Sequence, residues 1–229
     1  MIVAPIDVQY IQHCGSDLTV VNAARVSFDK ASEWEYGVLS SKEEDYDYFT
    51  EHLARLSKQD RKLIEYLAYH GHISPFHHAF ITMRIKAPIF VARQLVKHKF
   101  MPWNEVSRRY VENEPEFYFP STWRERAVDK KQGSGKDLDF TIDPRSCLIA
   151  LQTYNDALRN GVAPEQARMV LPQNTMTEWY WSGTLSAWAS MLALRCKPDT
   201  QQETREVADK ALHIIKDLFP VSISALLHV

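Results

Sequence analysis

Apolar positions recur at helical spacing in several stretches of this chain and alternate in one. Over residues 60–70 (DRKLIEYLAYH) they return every three to four positions, which predicts a helix with Asp60 as its cap and Gly71 as its stop. Residues 145–160, closed by Gly161, and 164 to about 170, opened by Pro164, predict two more helices. The aromatic and apolar run 179–195 reads as one long helix, and 200–219 as a last amphipathic one. Alternation of apolar and polar residues at 80–85 predicts a strand, and Pro88 then opens a helix reaching about Lys99. Residues 1–8 read as a short strand and 115–120 as a short extended aromatic piece, while 18–27 fits a strand or a helix and the pattern does not decide. Residues 29–47 read as a loop or irregular helix, and 124–139, which contains Gly133-Ser134-Gly135, as a mobile loop. The expectation is α+β: one helix-rich domain over 1–229 with a mixed or antiparallel sheet and no internal repeat.

Composition narrows what such a domain does. Hydrophobic residues are 45% and charged residues 24%, enough for a real core. A net charge of −2 supplies no global field for nucleic acid, so any anion site is local. Cys14, Cys147 and Cys196 are scattered, which indicates neither a zinc knuckle nor a disulfide framework and fits a reducing cytoplasm. No start resembling a secretory leader and no apolar run of membrane-spanning length is present. Seven glycines, without G-x-G-x-x-G or a P-loop, argue against the common dinucleotide and triphosphate cradles.

The densest chemistry lies between Arg93 and Tyr110. Arg93, Lys97, Lys99, Arg108 and Arg109 share this stretch with Gln94, His98, Glu105 and Ser107, directly after the apolar run 87–92. On a helix Arg93, Lys97 and Phe100 share a face; the 104–109 piece reads as a loop. Arg109 and Ser107 suit a phosphate, one as a planar fork of donors and the other as a hydroxyl. The plain alternative is a solvated charged face. His70, His72, His77 and His78 suggest a metal, yet no carboxylate sits beside them at ligand spacing, and the expectation is no metal site. Arg168 ends an apolar helix and needs an anion or carbonyls if buried. Arg195 also follows an apolar helix and suits the stabilisation of developing negative charge, or simply a helix C-terminus. Cys196 beside Arg195 has a cation able to lower its pKa, but no nucleophile motif surrounds it.

Lys97-His98-Lys99, seven residues, then Ser107 resembles the R-H-R-x7-S signature of flavin-dependent thymidylate synthases. The likeness runs on through Asn104-Glu105-Val106-Ser107-Arg108-Arg109-Tyr110. It is joined in order by Ala23-Ala24-Arg25-Val26-Ser27-Phe28, His70-Gly71-His72-Ile73-Ser74-Pro75-Phe76, Ala87 to Gln94, Ala167-Arg168-Met169-Val170-Leu171-Pro172 and Leu194-Arg195. The resemblance implies a homotetramer with active sites shared between subunits. It implies that dUMP becomes dTMP with 5,10-methylenetetrahydrofolate as one-carbon donor, FAD as cofactor and NADPH as reductant. Arg195 would be catalytic, promoting ionisation of the uracil. Arg93, Gln94, Lys97, Glu105, Ser107, Arg108, Arg109 and Arg168 would join it around dUMP. Ser74, Lys97, His98, Lys99, Glu105, Thr184 and Ser190 would meet FAD, and His72 would lie near flavin and folate.

The chain leaves the family pattern at Lys97 and Lys99, at His77 where the family often has Glu, and at Thr184, Ser186 and Ser190 where it has Asn-x-Arg and a following Asn. Lysine lacks the bidentate fork, so weaker FAD binding is expected. Two rivals remain. Phe100, Trp103 and Tyr110 among cations suit a single-stranded nucleic-acid module, against which the net charge stands. A flavin- or nucleotide-binding relative without activity is the other, against which Arg109, Arg168 and Arg195 stand.

Overall fold

The computed structural model describes residues 1–38, 52–111, 113–128 and 133–228. In chain order its elements are β1 (Ile2–Val3), β2 (Asp7–Cys14), α1 (Asp17–Arg25), β3 (Glu35–Val38), β4 (His52–Arg55), α2 (Lys58–Tyr69), β5 (Phe80–Pro88) and α3 (Ile89–Leu95). The chain continues with β6 (Trp103–Glu105), β7 (Glu116–Phe117), β8 (Trp123–Arg126), β9 (Ser134–Leu138), α4 (Arg145–Arg159), α5 (Pro164–Ala167), β10 (Met176–Thr184), α6 (Leu185–Arg195), α7 (Gln202–Leu218) and α8 (Pro220–Leu227).

The main sheet is antiparallel in the order β2-β5-β10-β6. Alternation in β5 turns Ile81, Met83, Ile85 and Ala87 into the core, all fully buried, and leaves Arg84 and Lys86 on the other face. There Arg84 pairs with Glu178 at 2.6 Å and Lys86 with Glu116. Helices α1, α2, α6, α7 and α8 cover the apolar face through Val20, Ile64, Trp188, Val207, Ile215 and Ile223. The arrangement is α+β, as the pattern predicts.

Several elements differ from the sequence reading. Residues 179–195 are not one helix: β10 runs to Thr184 and only Leu185–Arg195 is helical. Trp179 and Trp181 are buried while Tyr180 between them is 47% exposed, which is strand alternation. Pairing with β5 on one side and β6 on the other fixes it, and the Thr184 hydroxyl then caps α6 by accepting from the Ala187 N–H at 3.3 Å. Residues 18–27 resolve as a helix. Its Asp17 carboxylate, 3% exposed, accepts the N–H groups of Val221 and Ser222, both at 2.9 Å, and so caps α8. Asp60 does not cap α2; Ser57 does, accepting from the Asp60 N–H at 3.0 Å. The helix after Pro88 stops at Leu95, so Lys97 and Phe100 do not share a helical face with Arg93.

Of 124–139, the described part is a strand pair rather than a loop. Arg124 anchors it to α7 through Glu203 at 2.5 Å. Residues 129–132, and the part of 29–47 beyond Val38, lie outside the described residues. Residues 1–8 carry two strands, with β1 pairing in parallel with β7 in the 115–120 piece. No helix among the described residues is long and apolar enough to cross a membrane.

Candidate functional site

Three backbone features assemble a cationic cleft. β5 passes straight into α3 at Pro88, whose missing N–H costs nothing at a strand end. The orphan first-turn N–H groups of Ile89 and Phe90 donate to the Thr175 and Gln173 carbonyls at 3.0 and 3.2 Å. That pins α3 to the segment just after Arg168. On the other side, β6 pairs with β10, and Val106 donates to the Glu178 carbonyl at 2.8 Å, which sets the turn bearing Ser107 and Arg109.

The result is a cleft of about 530 Å³ lined by Arg93, Glu105, Ser107, Arg109 and Arg168, floored by Ile89 and Val96. Arg109 donates through Nε to the Ser107 hydroxyl at 3.1 Å, and its guanidinium lies 5.0 Å from the Tyr110 ring centre. Arg168 is exposed and donates to the Glu165 carbonyl at 3.3 Å. None of Arg93, Arg109 and Arg168 forms an ion pair with a described residue. Glu105, in the same lining, accepts instead from the Thr177 hydroxyl at 2.6 Å and the Trp103 indole at 3.2 Å. Arg108 turns aside to the Asn113 carbonyl at 2.7 Å and lines a smaller neighbouring cleft.

Arg195 lies outside that cleft. It ends α6 half-buried, donating through Nε to His98 Nε2 at 3.0 Å and through Nη2 to the Gln94 carbonyl at 3.2 Å. Burial lowers its pKa from the ordinary value, and no carboxylate of a described residue pairs with it. Burial, then the Arg195 charge, pushes His98 down to about 4, so its imidazole is neutral. The Gln94 side chain meets Gln201 at the start of α7, a partner no local pattern announces. Cys196 behaves contrary to its sequence setting: burial, then Asp209, pushes its thiol up to about 12.

Lys97, Lys99 and Phe100 come after α3 in a turn, all exposed, with Phe100 at φ 60° in the left-handed region. Ser74 sits in the short helical turn Ser74–His77, which packs on the start of α6; beyond it, Leu185 donates to the Ala79 carbonyl at 2.9 Å. Thr184 and Ser186 share a hydrogen bond at 3.0 Å, Ser186 is 7% exposed, and Ser190 donates back to the Ser186 carbonyl. These hydroxyls are engaged within the helix, and Ser186 is closed to a ligand. His77 is exposed, and His72 is exposed beside Tyr66 and His70. A larger cleft of about 980 Å³ between α2 and α8 shares no residue with the cationic one.

The family model "Thymidylate synthase complementing protein" matches residues 9–221. A flavin-dependent thymidylate synthase of Thermosipho africanus is 33% identical over 220 residues, covering 93% of this chain and 87% of the relative. That of Thermus thermophilus is 34% identical over 225 residues, covering 95% and 74%. Among solved structures, the UMP/dUMP methylase PolB of Streptomyces cacaoi, bound with 5-Br UMP, superposes with a TM-score of 0.78 at 28% identity over 99% of this chain and 96% of that one.

Proposed function

The chain belongs to the flavin-dependent thymidylate synthases, and from that premise we propose that it methylates dUMP at C5 to give dTMP. The observation that carries the reading is the cleft of three arginines without acidic partners beside the Ser107 hydroxyl. Such a set is built for a phosphate: arginine offers paired donors and keeps its charge. In this reading Arg109, Arg168, Arg93 and Ser107 hold the nucleotide phosphate, with Arg108 and Lys97 at its margin. Gln94 and Glu105 read the base and sugar.

Arg195 is the catalytic cation. Its unused N–H groups stabilise the negative charge that uracil acquires when its N3 proton is lost, and that charge makes C5 a carbon nucleophile. An arginine suits this role because it remains protonated and does not remove the proton itself. The residues also fit FAD. Lys97 and Lys99 offer exposed cations to its phosphates, Phe100 an exposed ring, and Ser74, His98, Glu105, Thr184 and Ser190 hydrogen-bonding groups. FAD supplies the redox chemistry, with NADPH as reductant and 5,10-methylenetetrahydrofolate as the source of carbon. His72, exposed beside two other rings, is suited to the flavin and folate vicinity.

Arg195 does not line the arginine cleft, and in this reading each site is completed by a second copy within a homotetramer. The test is direct. Protein loaded with FAD is incubated with methylenetetrahydrofolate, NADPH and either dUMP or UMP, and products are read by mass spectrometry. dTMP from dUMP is expected; folded, flavin-loaded protein that yields none refutes the reading. A 5-methyl product from UMP alone would reassign the substrate to the ribonucleotide.

A further inference from the structure

A guanidinium is a rigid plane, so two hydrogen bonds to fixed acceptors set where its remaining donors point. Arg195 has such a pair: His98 Nε2 at 3.0 Å on Nε and the Gln94 carbonyl at 3.2 Å on Nη2. Both acceptors are themselves fixed. Gln94 lies within α3, whose first turn is bonded to the 173–175 segment. The His98 N–H donates to the Leu95 carbonyl at 3.0 Å, and its ring packs against buried Trp181 with centres 6.3 Å apart. We propose that His98 is a positioning residue, an uncharged acceptor that aims Arg195 at the substrate without cancelling its charge.

The choice of side chain carries the argument. A carboxylate at this position would orient the guanidinium equally well but would neutralise it, and an ion-paired arginine stabilises a developing anion poorly. A protonated imidazole would have no lone pair to accept with. Burial and the neighbouring guanidinium hold His98 in the neutral form through the physiological range, leaving its proton on Nδ1 and its lone pair on Nε2. The signature arginines on either side are lysines here, both exposed, while the half-buried middle position keeps a side chain able to accept without charge. A contact to flavin, which the family likeness implies for His98, leaves this hydrogen bond unexplained.

The catalytic half of the proposal rests on the thymidylate synthase reading; the hydrogen bond does not. The experiment therefore has two readouts on FAD-loaded protein carrying ¹⁵N-labelled arginine. The first is the Arg195 Nε–H resonance, assigned by its loss in Arg195→Lys. It should be protected from solvent exchange in wild type, persist in His98→Gln and His98→Glu, and be lost or fast-exchanging in His98→Leu. The second is turnover of dUMP. At matched flavin occupancy, His98→Leu and His98→Glu should fall about ten- to a hundredfold in kcat below His98→Gln, with KM for dUMP little changed. His98→Glu separates aiming from charge, since it keeps the contact and removes the activity. Wild-type turnover in His98→Leu, an unprotected Arg195 resonance in wild type, or activity lost in step with flavin would each overturn the proposal. Wild-type protein that makes no dTMP would sink the enzyme reading, and the resonance would still decide the contact.

Discussion

A carboxylate only 3% exposed persists at Asp60 because it collects hydrogen bonds from four donors. Arg25 gives two, at 3.1 and 2.6 Å, and the Ser32 and Ser57 hydroxyls give one each, at 2.9 and 2.8 Å. Burial pushes the Asp60 pKa up, but these bonds outweigh it and hold it below 3.8. The unfolded chain therefore takes up a proton first on acidification, so this contribution is complete above pH 3.8 and is lost below it. Arg25→Ala strands the acid and should cost about 3 kcal/mol in urea unfolding. His98 acts in a different window: protonated below 6.5 when unfolded but only near 4 when folded, it destabilises the fold progressively from pH 6.5 down to about 4 and has no effect above. Wild-type urea midpoints should fall across that window more than those of His98→Gln. At the turn after α3, Lys97→Arg with Lys99→Arg should tighten FAD binding about three- to tenfold, read by quenching of flavin fluorescence.

At the level of elements, what the sequence disclosed depended on whether one period ruled a whole segment. The helix at Lys58–Tyr69 and the strand at Phe80–Pro88 each show a single period and were legible. β10 was not, because Trp179-Tyr180-Trp181 alternates over too few residues before an apolar helix begins without a break. β6 is a three-residue edge strand that exists only because β10 lies beside it. Thr184 marks the change of period, and Thr184→Ala should cost about 1 kcal/mol through the lost cap. The site obeyed the same logic. Its residue types and their order were readable, but the meeting of Arg93 with Arg168 depends on backbone bonds between α3 and residues 173–175, and the meeting of His98 with Arg195 joins positions 97 apart. No local pattern encodes either.

For the whole molecule, the separation of Arg195 from the Arg93–Arg109–Arg168 cleft makes a prediction about assembly. If different subunits supply the two groups to one site, Arg195→Ala and Arg109→Ala, each inactive alone, should complement when co-expressed, restoring about a quarter of wild-type activity in random tetramers. Mixed assemblies that remain inactive would place both groups on one chain's site.

From Met176 to Arg195 the chain has no loop: nine residues of strand pass into eleven of helix through the Thr184 cap. The consequence concerns length rather than sequence. A loop absorbs an added residue, but each residue added to a helix rotates the downstream chain by about 100° and advances it by about 1.5 Å. One insertion in α6 would swing Arg195 away from His98 and Gln94 while leaving every side chain identity unchanged. Substitutions should thus be tolerated at many exposed positions of this segment, whereas single insertions and deletions should not, and a scan of both across 176–195 would separate the two constraints.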